Sequence, residues 1–133
     1  MNFEFEKYIL DHIDAEPGLL QRINRDTQIK YVNGRMVSGH LQGRILVMIC
    51  RMINPKKVLE LGTFTGYSAL CLAEGTSKDA EIHTIEINDE FEEIVRYWFH
   101  ESGYEDKIKL HIGDAMKIVP DFEDEFDLVF IDL

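Results

Sequence analysis

The chain has 133 residues, 45% of them hydrophobic, which is enough for one domain with a core of ordinary density. Its formal charge of −11 opposes nucleic-acid phosphates and anionic membrane surfaces, which are usually met by clustered Lys and Arg. No apolar run is long enough to cross a bilayer, and the opening stretch MNFEFEKYILDHIDAE carries acids where a secretory signal carries lysines. A cytoplasmic chain with no membrane partner, and with nucleic acid disfavoured, is therefore expected.

In chain order, Phe5, Tyr8, Ile9, His12 and Ile13 fall on one helical stripe. Glu16-Pro17-Gly18 then punctuates before a second helical run carrying Leu19, Leu20 and Ile23. After an Asn33-Gly34 turn, Ser38 is placed to cap a third helix. Its apolar positions Leu41, Ile45, Leu46, Met48, Ile49 and Met52 repeat at three and four until Asn54-Pro55 stops it. Cys50 and Cys71 sit in apolar helical patterns without metal-ligand spacing and read as buried, reduced thiols.

From residue 57 short apolar runs alternate with helical segments. KVLEL reads as a strand and SALCLAEG as a helix closed by Gly75, and EIHTIEI is a second strand. Asp89 is placed to cap a helix carrying Phe91, Ile94, Val95, Trp98 and Phe99, with Gly103 behind it. KIKLHI, a short helix over 115–119 and FDLVFIDL complete the pattern. This alternation predicts an α/β, doubly wound, Rossmann-like fold with a parallel sheet and helices on both faces. Two regions follow: an N-terminal helical segment over 1–54 and a nucleoside-binding half over 55–133. FDLVFIDL reads as a central strand buried on both sides, so a fifth strand is expected beside it and the sheet reads as incomplete. Left bare, that edge would invite dimerisation or swapping, and the N-terminal helices could pack on a second copy.

The chemistry is concentrated in Val58-Leu59-Glu60-Leu61-Gly62-Thr63-Phe64-Thr65-Gly66-Tyr67-Ser68, where a strand ends in a glycine turn that opens a helix. In a doubly wound sheet that turn faces the ligand crevice. Gly62 lets a ligand approach the backbone, and Gly66 lets the helix begin. The spacing is E-x-G-x-x-x-G, without the dinucleotide pattern or a Walker lysine, so a pyrophosphate is not the natural guest; a plain tight turn would look much the same.

Glu86 ends the second strand twenty-four positions after Gly62, where an acid can accept from both ribose hydroxyls. Asp114, followed by Ala115, lies just past the third strand. It can meet an adenine amino group, cap the next helix, or both. Glu60, Glu86 and Asp114 together make an acidic rim, which suits a cationic ligand better than a phosphate. S-adenosylmethionine, with a sulfonium and an ammonium, is favoured over a nicotinamide cofactor. Trp98 and Phe99 read as core, and His12, His40, His83, His100 and His111 as scattered, with no pairing that suggests a metal cluster.

VLELGTFTGYSALCLA, IHTIEIN, IKLHIGDAMKIVP and FDLVFIDL, in that order and spacing, resemble the motifs of the metal-dependent O-methyltransferases, the group that includes catechol and caffeoyl-CoA O-methyltransferases. MVSGHLQGRILVMICRMINPKK is similar to that group's cofactor-covering segment. The resemblance implies S-adenosylmethionine as donor and a small hydroxyl compound as acceptor. It places Glu60, Gly62 and Ser68 at the methionine end, Glu86 at the ribose, Asp114 and Ala115 at the adenine, and Met36 near the methyl group or lid. Asp132 corresponds to the first ligand of a magnesium-type ion and is the catalytic candidate. The family's catalytic lysine and its Asp-Asn metal ligands would lie beyond Leu133, so the stretch in hand is not expected to methylate anything. Some bacterial relatives of this type act on modified tRNA nucleosides; a non-catalytic cofactor-binding fragment is the remaining alternative.

Overall fold

A computed structural model of the chain describes residues 2–31, 34 and 37–133. Three helices come first: α1 (Phe3–His12), α2 (Gly18–Lys30) and α3 (His40–Ile53). They are followed by β1 (Lys57–Leu61), α4 (Tyr67–Gly75), β2 (Glu81–Glu86), α5 (Glu92–Ser102), β3 (Ile108–Ile112), the short α6 (Ala115–Ile118) and β4 (Leu128–Ile131). All strand pairs are parallel and the order is β3-β2-β1-β4. The chain thus leaves β1 in one direction for β2 and β3, and returns on its other side with β4. That reversal opens a crevice at the carboxyl ends of β1 and β4.

Side chains alternate between the faces of each strand, and the register shows which residues share a side. Val58, Ile82, Ile108, Leu110, Leu128 and Phe130 face the helices and join a core built with Leu70, Leu72, Val95, Trp98 and Phe99. Trp98 and Phe99 are core residues as expected, and both cysteines are buried free thiols.

Several expectations need correction. The third helix buries Gly43, Leu46, Val47 and Cys50, while Ile45, Met48 and Met52 are exposed. The reason is close helix packing: a Cβ on Gly43 would crowd Cys71 and Tyr67, and one on Gly75 would sit 2.7 Å from Cys50 Cβ. Two small residues therefore outweigh a longer apolar stripe. α4 does end at Gly75, with Thr76 as its C-cap. The stripe on α1 forms a helix as predicted, but it buries nothing.

Ser38 does not cap α3; the N-cap is Gly39, without a side-chain bond. Asp89 is not a cap either. Asn88 accepts from Glu90 N ahead of a single 3-10 turn, and α5 begins at Glu92. β4 is an edge strand of alternating exposure, not a strand buried on both sides: Val129 is 49% and Ile131 62% exposed. Asn33 of the anticipated turn, and Met36, lie outside the described residues.

Candidate functional site

The loop after β1 has an unusual backbone. Gly62 and Gly66 have φ of 98° and 97°, and Phe64 between them has φ of 50°. Only glycine takes the first two without strain, and a Cβ on Gly62 would also run into the carbonyl oxygen of Asp132. The amides of Gly62 and Thr63 both donate to Ile85 O, at 2.9 and 3.2 Å, which ties the loop to the tip of β2. Glu86 then fixes the strained residue, accepting from Phe64 N at 2.7 Å with Oε1 and from Asn88 N at 2.9 Å with Oε2. One carboxylate thereby clamps two loops, and each oxygen keeps a free lone pair.

Above this clamp lies a cavity of about 390 Å³ at the crevice end of the sheet. Gly62, Ser68, Glu86 and Asp132 line it, with Phe64 and Phe91 forming an apolar wall. Tyr31, Phe64 and Phe91 make an edge-to-face trio, with ring centres 5.1 to 6.2 Å apart. α4 begins without a capping side chain, and its first residues, Tyr67 and Ser68, line the same cavity.

Glu60 does not sit on the rim. It is wholly buried beneath the floor, where Ser68 Oγ donates to one carboxyl oxygen and Thr84 Oγ1 to the other at 2.6 Å. Thr63 Oγ1 lies 2.5 Å from Thr84 Oγ1, so a run of hydroxyls surrounds the acid. Burial, countered in part by these hydroxyls and reinforced by the charges of Asp132 and Glu86, raises its pKa to about 7.

Asp114 stands on the same edge of the sheet, one strand further out. Its side chain accepts from Met116 N at 2.9 Å as the cap of α6, and neither it nor Ala115 lines the cavity. Gly113 N donates to Glu86 O at 2.8 Å, which holds that loop against the tip of β2. Asp132 is exposed on the cavity wall, with Ser38 Oγ 3.5 Å from its Oδ2. Ser38, read from the sequence as a cap, is thus a buried site residue instead. Phe64, Phe91 and Asn88 went unrecognised. Asn88 was legible as the second residue after the strand-ending acid, but the Phe pair meets only through folding.

The histidines are not all scattered: His83 Nδ1 and His111 Nε2 lie 2.9 Å apart with stacked rings on the far face of the sheet. Among the described residues no group of three His, Cys, Asp or Glu could hold a metal ion, and no helix is long and apolar enough to cross a membrane.

Fold and site define a doubly wound domain with a nucleoside-sized crevice at its topological switch point and no phosphate loop. Residues 11–133 match the family model described as O-methyltransferase, and the chain belongs to that family. Catechol O-methyltransferase of Mus musculus is 30% identical over 132 residues, covering 96% of this chain and 50% of its own length. The SAH-bound methyltransferase of Podospora anserina superposes with a TM-score of 0.92 at 32% identity, over all of this chain and 59% of that one. The O-methyltransferase of tomaymycin synthesis from Streptomyces achromogenes, solved with SAM, gives 0.85 at 27% identity, covering 98% of this chain and 60% of that one. The chain spans about half the length of the curated relatives it matches.

Proposed function

We propose that the protein is an S-adenosylmethionine-dependent O-methyltransferase that moves a methyl group to a hydroxyl of a small, catechol-like acceptor. The observation that carries this reading is the convergence of Gly62, Glu86 and Asp132 on one cavity inside the family match. The residues fit the donor. The two free lone pairs of Glu86 match a ribose diol, the aromatic wall matches a flat base, and the uncapped start of α4 with Ser68 suits the amino-acid end. When bound, the donor supplies a methyl group on a sulfonium. Glu60 and Gly62 complete the methionine end, Glu60 by holding Ser68 from below. Asp114 and Ala115, one strand further out than the cavity wall, are the residues assigned to the adenine end.

The reaction asks the protein mainly for position: an acceptor oxygen in line with the sulfur–methyl bond, and water kept away. Asp132 is the carboxylate placed to hold the acceptor hydroxyl by accepting its hydrogen bond. Its carboxylate could also contribute to the shell of a hard cation, but among the described residues no group of three His, Cys, Asp or Glu forms around it, well short of the roughly six oxygens such an ion takes. The net charge of −11 counts against a tRNA acceptor.

Calorimetric titration of the chain with S-adenosylmethionine and with NAD tests the donor. S-adenosylmethionine should bind and NAD should not. Glu86→Ala should weaken binding by about ten- to a hundredfold, the worth of one or two charge-assisted hydrogen bonds. Preference for NAD, or indifference to the substitution, would overturn the reading. Transfer of labelled methyl to catechol separates a catalyst from a binding fragment.

A further inference from the structure

Glu60 is a carboxyl group with no solvent exposure and, among the described residues, no cationic partner. Its hydrogen bonds come from the uncharged hydroxyls of Ser68 and Thr84. Among the described residues the ionisable groups that face it are Cys71 from α4, Glu86 from β2 and Asp132 after β4, and each of these is neutral or negative. In such a setting the charged form of an acid is disfavoured by desolvation and by its neighbours alike. Burial places its pKa at about 7, so the empty protein holds the proton over much of the neutral range.

Ser68 connects this group to the cavity, because its Oγ donates to Glu60 while the residue lines the space above. A positive charge brought into that space would reverse the balance. It favours the carboxylate, and Ser68 needs no rearrangement to pass the effect on, since it already donates downward and can accept from above.

We propose that Glu60 gives up its proton when a cationic donor fills the cavity, so that binding discriminates between the charged sulfonium donor and its neutral thioether product and does so more strongly as pH rises. The inference rests on the donor assignment above. The proton lost by Glu60 goes to solvent, and no other bond changes. Donor and product carry the same amino-acid end, but the sulfonium also lowers the pKa of the donor's own amino group. Glu60→Gln keeps that ligand contribution and lacks the Glu60 proton, so the comparison of wild type with variant isolates the residue.

The test is calorimetric titration of the full chain with S-adenosylmethionine and with S-adenosylhomocysteine, at pH 6, 7 and 8, in buffers of contrasting ionisation enthalpy. More protons should be released per site with the donor than with the product. The ratio of their affinities should shift toward the donor by up to about tenfold between pH 6 and pH 8, the limit for one proton with a pKa near 7. In Glu60→Gln the excess proton release with the donor and the pH dependence of the ratio should fall to what the ligands' own amino groups contribute. If that variant fails to fold, infrared difference spectra of the wild type provide the readout, since donor binding should remove a protonated-carboxyl band that product binding leaves in larger part. Equal proton release by donor and product in the wild type, or a difference in Glu60→Gln as large as in the wild type, would overturn the inference and leave the donor assignment standing. Failure of either ligand to bind at any pH would overturn the donor assignment, and the inference with it.

Discussion

The two faces of the sheet are made from the same strands but are built differently. Toward the helices, β1 and β2 present Val58, Glu60, Ile82 and Thr84, all fully buried and closed in by α3, α4 and α5. On the other side β2 and β3 present His83 and His111, stacked on each other and edged by Phe122 and Phe126, while Val129 and Ile131 of β4 remain largely open. The helical face is so closely packed that Glu60 has been stripped of water and its pKa rises to about 7. The open face keeps its polar groups as an adjustable pair. Burial, rather than residue type, decides how each face answers a change of charge.

The largest effect that would break this contrast is at the crevice, where the helical face ends. Gly62→Ala combines a disfavoured φ of 98° with a clash against the backbone of Asp132, and it should cost about 4 kcal/mol or more in denaturant unfolding and abolish donor binding. A tolerated alanine there would mean that β1 and β4 do not converge as described.

Next come the two faces' opposite responses to pH. The pKa of Glu60 is raised from 4.5 to about 7, so its contribution to stability is complete below about 4.5 and is lost as pH climbs toward 7. The unfolded chain ionises first in that window. The full loss is roughly 3 kcal/mol, and Glu60→Gln should remove that slope from urea-melt stabilities measured across pH 4 to 8.

Within β4, Phe130 packs on the core whereas its neighbour Ile131 is 62% exposed. Phe130→Ala should destabilise by about 3 kcal/mol, and Ile131→Ala by less than about 1 kcal/mol. Equal losses would show that the second face is covered after all.

The smallest effect belongs to the histidine pair. Burial, and then the neighbouring His83, lower the pKa of His111, so its contribution is present above pH 6.5 and lost as pH falls through the lowered value. This slope is opposite in direction to that of Glu60. His111→Gln should abolish it while leaving the Glu60 slope between about pH 4.5 and 7 intact, and NMR titration of the ring would follow the same proton directly.

What the sequence alone determined is whatever depends on local periodicity and on residues with few conformational alternatives. The alternation of apolar runs and helical stripes was enough for a parallel α/β order. The glycine turn after VLEL, Glu86 at a strand tip and the apolar setting of Cys50 and Cys71 were legible for the same reason, since their meaning lies within a few neighbours. Tertiary structure decided what depends on distance across the fold. It set the buried face of α3, where Gly43 and Gly75 admit a close approach that a hydrophobic count cannot see. It made Ser38 a neighbour of Asp132, paired His83 with His111, and sank Glu60 below a rim it was expected to join. Each of these is a contact between residues far apart in the chain, and its energy exists only once packing has removed the water between them.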